Sequence, residues 1–259
     1  MKAIITGIGK TGTTVIGQKT SNALGLNYIH EPKDHGKIKS FEKLKSGVIK
    51  INIYYINDIV FSQFDKKVLV VRDPRDTFIS MLLFNLYRPW EGQTERIKKI
   101  IDLLKGKELN PQGMSTIGLF NKINSPKISE FNLQHFARMH NDMVSFAENH
   151  PDYYLLRYED FIQGNLVEYE KYIGCKKSIK FNENVLGGFN YVTRTKAKDN
   201  WKNWLLEEDR KVLEPLLLGY MKTFNYMDNW EPNTSPKIMP ENCSEYVRKI
   251  VNSRRKDKI

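Results

Sequence analysis

"MKAIITGIGKTGTTVIG", residues 1–17, decides the reading of this chain. A short apolar run, Ala3–Thr6, leads into Gly7-Ile8-Gly9-Lys10-Thr11-Gly12-Thr13-Thr14, and a helical pattern follows over Thr13–Ala23. Strand, glycine loop and helix in that order place backbone N–H groups at a helix N-terminus, where the helix dipole also favours an anion. The outline Gly7-x-x-x-x-Gly12 is that of a phosphate-binding loop. A nucleotide triphosphatase would carry its lysine directly after the second glycine. Here Thr13 stands at that position, and the lysine lies inside the loop as Lys10. Gly7, Gly9 and Gly12 together exceed what a tight turn needs, so the loop reads as an anion site with an early lysine.

Outward from the loop, Val48–Asn52, Lys67–Arg72 and Tyr153–Arg157 are apolar runs ending in polar residues, and Leu26–Ile29 is a weaker fifth. Such runs read as buried parallel strands. Helical patterns over Ile56–Gln63, Thr77–Leu86 and Leu133–Asn149 separate them. The alternation predicts a single α/β domain over 1–259, with a central parallel sheet, helices on both faces and a P-loop nucleotide-kinase-like layout. Ligands of such sheets bind beyond the carboxyl ends of the strands. Residues 87–132 interrupt the rhythm with glycines and prolines around one helical segment, Thr94–Lys105, and read as a substrate-lid insertion. Residues 245–259 read as a basic tail.

Composition agrees with one globular core: 259 residues, 40% hydrophobic and 27% charged. The net charge of +11 points to an anionic partner. Cys175 and Cys243 make no disulfide framework and have no metal-ligand spacing. The first apolar run is too short for a signal-peptide core, and no stretch reaches the ~18 apolar residues of a membrane span. The expectation is a soluble, cytoplasmic protein without a membrane span or metal.

Three further stretches carry chemistry. In "VLVVRDPRDTFIS", residues 68–80, a strand ends at Arg72, Asp73 can cap the next helix and Pro74 suits its first turn. Ser80 lies eight residues past Arg72, about two helical turns on, so a guanidinium and a hydroxyl form a second candidate anion site. "YYLLRYEDF", residues 153–161, brings Tyr158, Glu159 and Asp160 to a strand end. "TRTKAKDNWKNW", residues 193–204, is a basic loop with two tryptophans, in which Arg194, Lys196, Lys198 and Lys202 are placed to close over an anion or to be solvated.

"GKTGTT", "RDPRDTFIS", "LLRYEDF" and "DNWKNW", in this order and at these separations, resemble the sulfotransferases that use 3′-phosphoadenosine 5′-phosphosulfate (PAPS) and release 3′-phosphoadenosine 5′-phosphate (PAP). The resemblance spans most of residues 1–227. It implies that Lys10 reaches the oxygen bridging phosphorus and sulfur while Thr11, Gly12, Thr13 and Thr14 hold the 5′-phosphate. It implies also that Arg72 and Ser80 bind the 3′-phosphate, that Tyr158 contacts adenine, and that Arg194 opens the loop closing over the nucleotide. PAPS has no β/γ-phosphate pair for a lysine after Gly12 to grip, which accounts for the altered loop.

The chain departs from the family at two points. Thr195-Lys196 follows Arg194 where the family has Lys-Gly, leaving Lys196 as a substitute cation. "VIKIN", residues 48–52, keeps a lysine, Lys50, but has Asn52 in place of the catalytic histidine of many cytosolic members. The dimerisation sequence of that subgroup is not visible. The base that removes the acceptor's proton is then sought in "YIHEPKDHG", residues 28–36: Glu31 first, because some carbohydrate sulfotransferases carry a glutamate base here, then His30 and His35. The spacing of His30, Glu31 and His35 does not suit zinc, and Pro32 opposes a helix.

The expected activity is sulfuryl transfer from PAPS to an acceptor hydroxyl of a carbohydrate or small molecule, without nucleic acid. A P-loop kinase is the alternative, opposed by the missing lysine after Gly12 and the absence of a convincing second acid. A basic nucleic-acid-binding module is another, opposed by the lack of aromatics interleaved with a basic stripe.

Overall fold

The computed structural model describes residues 1–30, 44–58, 61–86, 94–123, 132–175, 177–179, 194, 197–227 and 230–254. Glu31, His35 and Lys196 lie outside them. The chain divides into two compact units, Met1–Arg72 with Met139–Gly187, and Asp73–Arg138 with Gly188–Ile259.

The first unit holds the sheet. Its strands are β1 (Lys2–Gly7), β2 (Tyr28–His30), β3 (Gly47–Asn52), β4 (Lys66–Val71) and β5 (Tyr154–Arg157), in the order β2-β3-β1-β4-β5. All four pairings are parallel. Gly7 stands opposite Asn52, His30 opposite Lys50, and Val71 opposite Arg157, so the carboxyl ends of the strands gather along one edge. In chain order the helices are α1 (Thr13–Leu24), α2 (Pro74–Asn85), α3 (Thr94–Leu109), α4 (Thr116–Ile123), α5 (Leu133–Asn149), α6 (Tyr158–Gln163), α7 (Val167–Ile173), α8 (Glu207–Thr223) and α9 (Ser244–Arg254).

Consecutive residues of a strand point to opposite faces. Ala3, Ile4 and Ile5 of β1 and Val68, Leu69, Val70 and Val71 of β4 are all buried, so neither face of the central strands is solvated. That is why these strands read as unbroken apolar runs. Ala3, Ile5, Val48, Val68 and Val70 share one cluster with Ile16 of α1, Tyr158 and Phe161 of α6, and Tyr169 of α7. Each large side chain buried there contributes about 1.5–3 kcal/mol. Thr20 and Tyr169 share a 2.6 Å hydrogen bond that ties α1 to α7.

The second unit is built from helices and short turns. Asp73 caps α2 by accepting from the Arg75 backbone N–H at 2.8 Å, and Pro74 occupies the first turn. Phe78 packs edge-on against Phe136, their ring centres 5.3 Å apart. Asp209, fully buried in the first turn of α8, accepts from the backbone N–H groups of Thr116 at 3.0 Å and Ile117 at 2.6 Å. One carboxylate thereby serves the amino end of α4, where unpaired donors would otherwise be left.

Some elements differ from the sequence expectation. The helix expected over 56–63 is replaced by two 3₁₀ turns, Ile53–Asp58 and Phe61–Gln63. Ile53 and Ile56 are buried while Tyr54 and Tyr55 are exposed, a spacing of three that suits the tighter helix. Within 87–132, α3 continues to Leu109 and α4 follows, with Ile97, Ile100, Ile101 and Leu104 buried along α3. Residues 244–254, read as largely tail, form α9, whose Tyr246, Val247, Ile250 and Val251 are buried. Among the described residues no helix is long and apolar enough to cross a membrane.

Candidate active site

The glycine loop joins β1 to α1 at the carboxyl edge of the sheet. At Gly7 a Cβ would come within 2.7 Å of the Val70 carbonyl and 2.9 Å of the Thr11 hydroxyl, so the turn can lie this close to β4 only without a side chain. Thr11 is buried and donates its hydroxyl proton to the Ile8 carbonyl at 2.8 Å, closing the loop on itself. Gly12 is the N-cap of α1 in the left-handed region, φ 89°, and a Cβ there would collide with the Tyr158 ring. As a glycine the N-cap brings no capping side chain of its own, and the first turn of α1 contains no acid. Thr13 and Thr14 therefore begin a twelve-residue helix whose amino end is suited to an anion.

Lys10 adopts φ 67°, a conformation that costs a non-glycine residue ~1–2 kcal/mol. Its carbonyl accepts from Arg72 Nη1 at 3.0 Å. Arg72, just past β4, is buried, and its guanidinium lies 4.4 Å from the centre of the Tyr158 ring. Lys10, Thr11, Gly12, Thr13, Thr14, Arg72 and Tyr158 are thus brought together in one unit. Tyr158 is itself a core residue at the start of α6, with Glu159 and Asp160 in the same first turn.

Further along the same edge, Lys50 is buried within β3, opposite His30 at the end of β2. His30 Nδ1 and the Tyr28 hydroxyl share a 3.1 Å hydrogen bond. Asn52 accepts from the Tyr54 backbone N–H at 3.3 Å and so closes the turn after β3. Ser80 and Arg194 belong to the second unit. Ser80 is buried on α2, and Arg194 Nη1 reaches the Asn242 carbonyl at 3.5 Å.

The two tryptophans of the basic loop have a structural place that the sequence did not disclose. Trp201 and Trp204 are fully buried. The Arg75 guanidinium donates to the Asp73 carboxylate from Nε to Oδ1 at 3.0 Å and to Oδ2 at 3.1 Å, and from Nη2 to Oδ2 at 2.7 Å, and it lies 4.0 Å from the Trp201 ring and 5.2 Å from the Trp230 ring. The Trp201 backbone N–H donates to Asp76 Oδ1 at 2.8 Å. The clue was the spacing of charges in Asp73-Pro-Arg75-Asp76; the ring partners come from far along the chain. Lys107 is the other buried cation of this unit. Its ammonium donates to the carbonyls of Pro111, Met114 (2.6 Å) and Trp204 (3.0 Å), and burial pushes its pKa down to about 8 despite the favourable charge of Asp209. Burial likewise raises the Asp209 pKa, against the three backbone N–H bonds that favour the carboxylate.

No protein-family model matches the chain, and no curated protein matches its sequence. Among solved structures, mouse sulfotransferase SULT7A1 complexed with PAP matches with a TM-score of 0.50, over 85% of this chain and 84% of that one, at 14% identity. A likeness at that identity is one of fold. The parallel five-stranded sheet with its helices is the P-loop-like α/β fold of a sulfotransferase.

Proposed function

We propose that the protein is a PAPS-dependent sulfotransferase acting on an acceptor hydroxyl of a carbohydrate or small molecule. The observation that carries this reading is the contact between two cationic residues at the glycine loop. Arg72 holds the Lys10 carbonyl at 3.0 Å, beside a helix amino end whose N-cap is the glycine Gly12. The fold likeness to a PAP-bound sulfotransferase supports it at a coarser level. The amides beginning α1 and the buried guanidinium suit a nucleotide with phosphates at two positions.

When bound, the donor supplies an activated sulfuryl group on its 5′-phosphate. The amides of Thr11, Gly12, Thr13 and Thr14 and the hydroxyls of Thr13 and Thr14 would hold that phosphate, the Thr11 hydroxyl being engaged by the Ile8 carbonyl, and Lys10 would neutralise charge developing on the leaving phosphate. Arg72 and Ser80 hold the 3′-phosphate, Tyr158 lies toward the base, and Arg194 with Lys196 covers the nucleotide. Glu31 takes the acceptor's proton, with His30 and His35 as the alternatives, and Lys50 adds a second cation at the edge. Asn52 has no basic nitrogen and serves the turn after β3. The whole chain acts as one sulfotransferase domain in the cytoplasm, with 87–132 shaping the acceptor pocket.

Titration calorimetry with PAP, AMP and ATP tests the donor. PAP is expected to bind ~10–150-fold more tightly than AMP, the worth of one charge-assisted contact. Equal affinity for PAP and AMP would overturn the reading. A panel of sugar, phenol and aliphatic alcohol acceptors with labelled PAPS then identifies the product by mass.

A further inference from the structure

We infer that Tyr158 and Arg72 position Lys10, forming a strut between the sheet core and the glycine loop. The strut is a property of the protein alone; only its bearing on catalysis rests on the proposed function. Lys10 sits at φ 67°, where a lysine stays only if its surroundings hold it. The residue that holds its carbonyl is Arg72, through Nη1 at 3.0 Å. Arg72 in turn lies over the Tyr158 ring at 4.4 Å, a cation–π contact made stronger by burial of both partners.

The same ring reaches the loop a second way, because it fills the space where Gly12 would carry a Cβ. Tyr158 is fixed from behind by the cluster that includes Val70, Leu156 and Phe161. One rigid aromatic thus braces the loop at Gly12 directly and at Lys10 through Arg72. A tyrosine serving only as a contact for adenine needs neither connection.

The geometry also links two parts of the proposed donor site. A phosphate engaged by Arg72 bears on the group that fixes Lys10, so occupancy of one position steadies the residue at the other. Tyr158 is then a positioning residue whose ring, not its hydroxyl, matters to the loop.

The test is hydrogen–deuterium exchange on the ligand-free full chain, comparing residues 8–14 with β3 as an internal reference, alongside calorimetry with PAP. Tyr158→Phe is expected to keep wild-type exchange. Tyr158→Leu and Arg72→Ala are expected to speed exchange in residues 8–14 roughly tenfold or more while β3 is unchanged. Loop exchange that stays at the wild-type level in both overturns the strut, as does weakened PAP binding in Tyr158→Leu with no change in the loop. If Tyr158→Leu loosens β3 too, Arg72→Lys decides. It leaves the core side chains in place but replaces the planar fork that donates and stacks together, and faster exchange confined to 8–14 supports the strut. Unchanged exchange in that variant overturns it. A wild-type protein that binds no PAP yet shows the expected loop response removes the donor reading and leaves the strut standing.

Discussion

Arg72 and Arg75 are three residues apart, both buried, both stacked on aromatic rings, and they are held in different ways. Arg75 is gripped by the Asp73 carboxylate and lies against the rings of Trp201 and Trp230. Its charge is neutralised where it stands, and the arrangement is that of a structural clamp. Arg72 is held by the Lys10 carbonyl and the Tyr158 ring, at the end of a strand and beside a helix amino end. Arg75 thus joins two distant tryptophans to the start of α2, whereas Arg72 joins the glycine loop to the sheet core, where the proposed donor would bind.

The sharpest way to break this comparison is Arg75→Ala. Removing one partner of a buried ion pair leaves Asp73 buried without its counter-charge, at a cost of about 3–5 kcal/mol in urea denaturation. Arg72→Ala, which removes a hydrogen bond to a carbonyl and a ring contact, should cost less than Arg75→Ala. Equal losses would erase the distinction.

Next in size is Lys10→Ala, which should lower turnover by on the order of 10²–10³, with a smaller loss of PAP affinity, if the lysine acts on the developing charge. Collapsed affinity with unchanged single-turnover rate at saturation would reduce Lys10 to a docking charge. Arg72→Ala sharpens the comparison on the binding side: its preference for PAP over AMP should fall by ~10–150-fold, whereas Arg75→Ala, where folded, should retain it.

The smallest effect concerns the second buried cation. Lys107 has a folded pKa of about 8 against an ordinary value of 10.5, so between them the unfolded chain binds more protons and stability rises with pH. From pH 8 to 9 the gain is about 1 kcal/mol. Cys243 opposes it further up, because burial raises its thiol pKa and the unfolded chain ionises first above about pH 9. Denaturation midpoints of Lys107→Met across pH 8–9 should lose the rise. A slope identical to wild type would remove Lys107 as its source.

The centre of the sheet was legible because both faces of β1 and β4 are buried, which turns each into a continuous apolar run, and because Gly7 and Gly12 mark a turn with little room for side chains. Asp73 and Pro74 announced the start of α2. What escaped was of two kinds. Local periodicity of 3 rather than 3.6 hid the turns after β3, where Ile53 and Ile56 face inward. Long-range partnership hid the rest: the rings that receive Arg72 and Arg75 stand at 158, 201 and 230. The same holds for Trp201, which reads as an exposed loop aromatic until Asp76 and Arg75 are seen to hold it. The helix Glu207–Thr223 did leave a signal, in its acidic first turn and in Leu213, Leu217, Tyr220 and Met221 along one buried face.

Asp209 has a consequence for how the chain is made. Thr116 and Ile117 begin their helix on a carboxylate that lies 93 and 92 residues further on. At synthesis rates of about 5–20 residues per second, α3 and α4 wait on the order of 5–20 s for that partner. The isoleucines of α3 and the unpaired amides of α4 are on their own for that time. The ribosome must therefore deliver the chain through Asp209 before the amino end of α4 meets its carboxylate.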